Sequence, residues 1–290
     1  MRSEEEMMQL ILSVAEKASS VRGVIMNGSR VNRNVTPDPF QDYDIVYVVT
    51  EITAFIAEHS WVDVFGKRLI MQLPDEMELC DVDHKPNLKF SYLMQFMDGN
   101  RIDLTLYQRN HLPENLDSLS IVLLDKDNNL PALREPDDSD YLVKKPSHDD
   151  IESCINEFWW VSTYVAKGLA RRQLPYAKEM MEGPVRRMLK RMMSWNIGAK
   201  NNFQVNVGSA GKYFEHFLED HTWKDYKRTY ADGEYPNNWK ALFQMCELFI
   251  TLTREVTSHL NYLDHDSEEI HVFEYLKHIH KSSAGQQDSY

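Results

Sequence analysis

Long hydrophobic runs are missing from this chain, and that absence removes a whole class of function. No apolar stretch approaches the roughly 20 residues that cross a bilayer, so no membrane partner is expected. The first residues, Met1-Arg2-Ser3-Glu4-Glu5-Glu6, are acidic and lack the apolar core of a secretory signal, which makes the cytoplasm the expected location. Cysteine is scarce: Cys80, Cys154 and Cys246 are an odd and scattered set of three. That excludes a disulfide framework and suits a reducing compartment. Basic residues are in deficit, 32 Lys and Arg against 45 Asp and Glu, for a formal net charge of −13. A nucleic-acid footprint rests on neutralising phosphates with basic groups, so nucleic acid is not an expected partner. An acidic field favours a cationic one. No internal repeat is found. What remains is a 290-residue chain with 42% hydrophobic residues, enough for two domains and a sizeable core.

The pattern changes character near residue 137. Before it, Ser3 to Ser19 is predicted helical: Ser3 with Glu6 fits a capping box, and Met7, Leu10, Ile11, Val14 and Ala15 form an apolar stripe. Val24-Ile25-Met26 is a short apolar strand. Arg30–Gln41, with Pro37 and Pro39, is a loop. Ile45–Val49 is β-branched and aromatic, as a strand buried on both faces would be. A helix is expected over 52–65 and a strand over Arg68–Gln72. Phe90–Phe96 and Arg101–Tyr107 flank Asp98-Gly99-Asn100, a hairpin signal. Ile121–Asp125 is a last strand. Pro131 to Ser147 is rich in Pro and Asp and reads as a linker. Beyond it Ser147 with Asp150 opens a helix. Helices are then expected over 149–173, 175–200, 212–220, 237–260 and 268–281, with Pro175 in a first turn and a frayed tail from Ser282. The fold class is therefore α+β. Residues 1–137 form a mixed sheet of about five strands flanked by helices, and residues 138–290 form a helical bundle.

The chemistry concentrates in two segments of the first domain. Gly28-Ser29 follows a strand, and a glycine there allows the backbone to approach an anion closely, with turn amides and the Ser29 hydroxyl to hold a phosphate. Asp42 and Asp44 lie two apart at the start of the next strand. Their side chains therefore share a face, roughly 7 Å apart along it. Asp103 stands alone on the polar side of Arg101-Ile102-Asp103-Leu104-Thr105-Leu106-Tyr107. Taken singly, each acid is an ordinary wet residue and Gly-Ser an ordinary turn. If the two strands are neighbours, three carboxylates converge, and they repel one another unless a cation neutralises them. Magnesium takes oxygen ligands and keeps positions open for substrate phosphates. Arg30, beside the turn, is a candidate phosphate contact or a solvated loop charge.

Gly-Ser, a spacer of this length, Asp-x-Asp before an apolar residue and a lone downstream Asp resemble the signature of polymerase-β-like nucleotidyltransferases. A narrower resemblance covers most of the chain. Gly28-Ser29-Arg30, Phe40-Gln41-Asp42-Tyr43-Asp44, Pro74-Asp75-Glu76-Met77-Glu78-Leu79, Ile102–Leu106, Leu124-Asp125-Lys126-Asp127, Asn156-Glu157-Phe158-Trp159 and Tyr164–Leu169 are similar to the aminoglycoside 6-adenylyltransferases, which inactivate streptomycin. It fades after Glu255. The resemblance implies an enzyme that moves AMP from ATP, with Mg2+, onto an aminoglycoside hydroxyl and releases pyrophosphate; a monomer is expected. Asp42, Asp44 and Asp103 would be catalytic and metal-binding residues, Asp103 serving as ligand or as base. Gly28, Ser29, Arg30 and Lys212 would bind the nucleotide. Two alternatives stay open, another acceptor or a non-catalytic nucleotide-binding module, although the intact set of three acids disfavours the second.

Other features carry less. Gly208-Ser209-Ala210-Gly211-Lys212 has the look of a P-loop but lacks its spacing, since Tyr213 follows Lys212. Cys80-Asp81-Val82-Asp83-His84 has no partner cluster and reads as a loop. His259, His265, His271, His278 and His280 read as surface residues. Trp159, Trp160 and Trp195 suit the core, although one could flank a sugar. Glu157, Glu179 and Glu182, on the first two helices of the second domain, are the candidate contacts for a cationic aminoglycoside.

Overall fold

The computed structural model describes residues 1–77, 88–262 and 266–285. It divides into two compact units, Met1–Asp140 and Tyr141–Tyr290. The first unit opens with α1 (Glu4–Lys17). Ser3 and Glu6 make the expected capping box, and Met7, Ile11 and Ala15, one turn apart, are fully buried. At the other end of α1 the Lys126 ammonium donates to the carbonyls of Ala15, Glu16 and Ala18 at 2.7, 3.1 and 2.9 Å, satisfying the last turn.

Six strands, one at each of the six segments read as strands, form one mixed sheet, so the count of about five was one short: β1 (Val21–Asn27), β2 (Tyr43–Val49), β3 (Arg68–Gln72), β4 (Lys89–Phe96), β5 (Arg101–Gln108) and β6 (Ser120–Asp125). Their order is β3-β4-β5-β2-β1-β6. β2 and β5 run parallel, and the remaining neighbours are antiparallel. β2 sits in the interior of the sheet, so all its residues but Asp44 are buried. One face packs on α1 through Met7, Ile11, Tyr47, Tyr92 and Leu104. The opposite face holds a smaller cluster of Ile25, Val46 and Val48 under Leu112, Leu116 and Leu130. Gly99, at φ +90°, turns β4 into β5. Arg2 clasps Asp98 in that turn at 2.6 Å, holding its carboxyl well below the usual range.

One predicted helix is broken. Residues 52–65 form α2 (Thr53–Ile56) and a 3-10 segment, His59–Phe65, because Glu58 between them is extended. The Trp61 indole reaches back to the Phe55 carbonyl at 3.0 Å, a bond that fixes the bend. Cys80 and the Cys80–His84 stretch lie outside the described residues.

The second unit is helical: α3 (His148–Ala170), α4 (Leu174–Met180), α5 (Arg186–Lys200), α6 (Phe214–Phe217), α7 (Asp220–Lys227), α8 (Tyr235–Leu260) and α9 (Asp266–Gly285). Ser147 and Asp150 cap α3 reciprocally. The expected rod over 175–200 is interrupted by a π-turn at Met181–Val185, where Pro184 brings no N–H to the ladder. The expected 212–220 helix resolves into α6 and α7, parted at extended Leu218. α9 runs on to Gly285, past the expected start of the tail. The Phe158 and Phe249 rings stack at 3.7 Å in the core. Cys154 and Cys246 are buried thiols, and burial pushes Cys154 up to about 12. Trp159 and Trp195 are core residues, whereas Trp160 is 60% exposed. His280 departs from the expected surface position. It packs half-buried on Trp239 and Phe243, and burial lowers its pKa. Among the described residues no helix is long and apolar enough to cross a membrane.

Candidate active site

The parallel pairing of β2 with β5 sets the geometry. Its register places Asp44 opposite Asp103, so the two acids from distant segments lie side by side. Asp42 shares the Asp44 face two residues earlier. Each carboxylate acts electrostatically on its neighbours. Burial, reinforced by the charges of Asp103 and Asp42, pushes Asp44 up to about 6. Asp42 is raised as well, mainly by burial, with Arg101 pulling the other way. β2 and β5 are thus neighbours, and the three acids are close enough to act on one another's charge.

Between them stands a residue that sequence reasoning passed over. The Arg101 guanidinium donates to both Asp103 oxygens, Nε to Oδ1 at 2.8 Å and Nη2 to Oδ2 at 2.7 Å, and lies 3.5 Å from Asp42 Oδ2. This bidentate pair raises the Arg101 pKa, with Asp42 and Asp44 adding to it. The signal was available, since Arg101 and Asp103 are two apart on one strand and so share a face. Among the described residues no three acidic, His or Cys side chains stand together as ready ligands of one ion. Arg101 supplies the positive charge instead. The donors themselves, three carboxylates, are the hard oxygens that magnesium takes.

Gly28 lies against this group. It begins the 3-10 turn Gly28–Val31 directly after β1, at φ +80°, and a Cβ there would overlap Asp44 Oδ2. Its N–H donates to the Leu119 carbonyl at 3.0 Å. The Ser29 carbonyl accepts from Gln41 Nε2 at 3.3 Å, which ties the turn to the segment before Asp42. Arg30 points the same way. Its guanidinium donates to the Asp42 and Gln41 carbonyls at 3.1 and 2.8 Å, pairs with Glu4 at 3.3 Å and stacks 3.8 Å from the centre of the Tyr43 ring. Only 9% of its side chain is exposed. Arg30 therefore holds the backbone that presents Asp42.

The remaining candidates belong to the second unit. Lys212 is exposed, after the Ser209–Gly211 turn, with its ammonium 5.0 Å from the centre of the Tyr213 ring. The turn borders a cavity of about 520 Å³ whose wall carries Arg187, Lys190 and Arg191, basic groups on one side of α5 that sequence reasoning also missed. Glu157 and Glu179 are exposed on α3 and α4. Glu182 is already paired: it accepts from buried Arg186 through both oxygens and lies 3.7 Å from Lys178.

The chain is 40% identical over 274 residues to the aminoglycoside 6-adenylyltransferase of Bacillus subtilis (strain 168), covering 93% of this chain and 95% of that one. It is 39% identical over 264 residues to the Campylobacter jejuni enzyme of the same name, covering 90% and 91%. A crystal structure of an aminoglycoside 6-adenyltransferase from Bacillus subtilis matches with a TM-score of 0.48 and 34% identity, over 97% of this chain and 99% of that one. The chain is a nucleotidyltransferase. More narrowly, it belongs to the streptomycin adenylyltransferase family, whose model matches residues 1–279.

Proposed function

We propose that this chain transfers AMP from Mg-ATP to a hydroxyl of an aminoglycoside, streptomycin, and releases pyrophosphate. It would act in the cytoplasm as a monomer, without nucleic acid. The observation that carries the reading is the meeting of Asp42, Asp44 and Asp103 beside the Gly28-Ser29 turn, in a chain whose relatives bear the name aminoglycoside 6-adenylyltransferase.

In this reading the three carboxylates would hold magnesium, which would neutralise triphosphate charge and so favour departure of pyrophosphate. The work of the chain itself is positioning and proton handling. Gly28 and Ser29 form the turn that receives phosphate, and Arg30 keeps Asp42 in place; Lys212, in the second unit, is a further candidate for binding nucleotide. Asp103 accepts the proton of the attacking hydroxyl when it is not serving as a ligand. Arg101 is the counter-charge that Asp103 and Asp42 hold within the chain. Residues 1–137 are thus a nucleotidyltransferase domain and 138–290 a substrate-binding one. Glu157 and Glu179 remain candidate acceptor contacts, while Glu182 acts through Arg186.

Pyrophosphate release measured with ATP, with and without magnesium and streptomycin, tests the reading. Release that needs both is expected, and Asp103→Asn should remove it while sparing ATP binding. Release that ignores streptomycin would move the reading to another acceptor.

A further inference from the structure

The row of acids in the first unit continues beyond Asp44. β1 is antiparallel to β2 with Asn27 opposite Asp44, and antiparallel to β6 with Asn27 opposite Ser120. Residues paired directly across strands share a face. Ser120, Asn27, Asp44 and Asp103 therefore form one row across four neighbouring strands. The packing agrees. Ile25 and Val46, two residues from Asn27 and Asp44, lie in the small cluster on that face, whereas Met26, Ile45 and Leu104 lie in the core on the other.

Asn27 is held from one side. Ser120, 2% exposed, donates from its hydroxyl to Asn27 Oδ1 at 2.9 Å. The amide carbonyl thus faces Ser120, away from carboxylates that would repel it, and the NH2 group faces the side of the acids. Among the described residues that NH2 group has no acceptor. The neighbouring Gly28 N–H is not free for a phosphate, because it is engaged by the Leu119 carbonyl at 3.0 Å. Asn27 offers a donor at this point instead. Being neutral and without acidity, the NH2 attracts a phosphate oxygen and adds nothing to the negative charge of three acids.

Its place in the row selects the phosphate. In the reading above, the attacking hydroxyl oxygen bonds to the α-phosphorus and its proton passes to Asp103. The α,β-bridging oxygen leaves with the electron pair as pyrophosphate. Attacking and leaving oxygens stand roughly in line, on opposite sides of the phosphorus. Asp103 and Asn27 flank Asp44 on opposite sides, so Asn27 is on the side of departure.

We propose that the Asn27 side-chain amide holds the pyrophosphate portion of the nucleotide, with Ser120 as the positioning residue that aims it. This rests on the reading that ATP gives up AMP at this site, and the two can fail separately. The full-length chain is titrated in a calorimeter, with magnesium, against inorganic pyrophosphate, α,β-methylene ATP and AMP. Asn27→Ala should weaken pyrophosphate and the ATP analogue about tenfold, the scale of one hydrogen bond to a charged group, and leave AMP affinity as it was. Asn27→Asp, nearly the same shape, puts a fourth carboxylate in the row and should weaken both further. Ser120→Ala should weaken them less than Asn27→Ala. A general loosening of the strand would weaken AMP as well. Pyrophosphate affinity unchanged in both Asn27 variants, or AMP weakened as much as pyrophosphate, overturns the proposal. AMP transfer by Asn27→Asp at a wild-type KM for ATP overturns it while the transferase reading stands. The expected losses in a chain that leaves streptomycin unmodified uphold the Asn27 contact and overturn streptomycin as acceptor. A wild-type chain that binds neither pyrophosphate nor the ATP analogue overturns both.

Discussion

A carboxylate that burial and two like charges push up to about 6 is a destabilised group in the folded chain, and Asp44 is that group. Its folded pKa exceeds the unfolded value of 3.8. The folded state therefore holds the proton more tightly, and stability falls as pH rises from about 4 to about 6. Asp44→Asn should raise Tm at pH 8 without magnesium, and the gain should shrink as pH falls through about 6 to 4 and vanish below the unfolded value of 3.8, where the wild-type acid is protonated in both states. The same variant should have no transferase activity. Equal Tm for the two proteins across that window would contradict the burial argument. Arg101 carries a companion prediction. Arg101→Met takes away the charge that magnesium must displace, so the nucleotide-free variant should bind Mn2+ more tightly in a calorimetric titration. Unchanged or weaker binding would show that Arg101 does not stand in for a cation. Gly28→Ala should lower turnover by moving Asp44, because the added Cβ falls on its carboxylate and the backbone there is left-handed.

Individual elements explain why some acids cannot do what their sequence position suggests. Glu182 lies in the π-turn between α4 and α5 and accepts from Arg186, a guanidinium 4% exposed that also donates to Thr229. Glu182→Gln leaves a buried cation short of its anion. It should cost about 1–3 kcal/mol, seen as a Tm lower by several degrees. Glu157→Gln and Glu179→Gln, on exposed positions, should leave Tm unmoved; a Tm loss as large in either would put them in the same structural class. The elements themselves were mostly legible. Both capping boxes, the hairpin at Gly99 and the strands bearing Asp42, Asp44 and Asp103 follow from local residue chemistry. The 52–65 break did not, because it depends on Trp61 bonding to a carbonyl six residues away and on Glu58 leaving the helix. Nor did the exposure of Trp160, since an aromatic on a helix signals burial unless its neighbours are known.

For the whole molecule, two units with separate cores carry a net charge of −13. Such a field draws a multiply charged cation, and screening weakens it as the Debye length falls from about 30 Å at 0.01 M salt to about 8 Å at 0.15 M. KM for streptomycin should therefore rise with salt more steeply than KM for ATP; equal slopes would make the acidity a matter of solubility. Arg101 was only half legible in the sequence: sharing a face with Asp103 follows from strand spacing, whereas its approach to Asp42 appears only once β5 is paired with β2. The proposal that AMP is moved to streptomycin meets its most direct test in the mass spectrum of streptomycin after incubation with this protein, ATP and magnesium. The account predicts a gain of one AMP unit, absent with Asp103→Asn. Streptomycin of unchanged mass, with ATP intact, would contradict it.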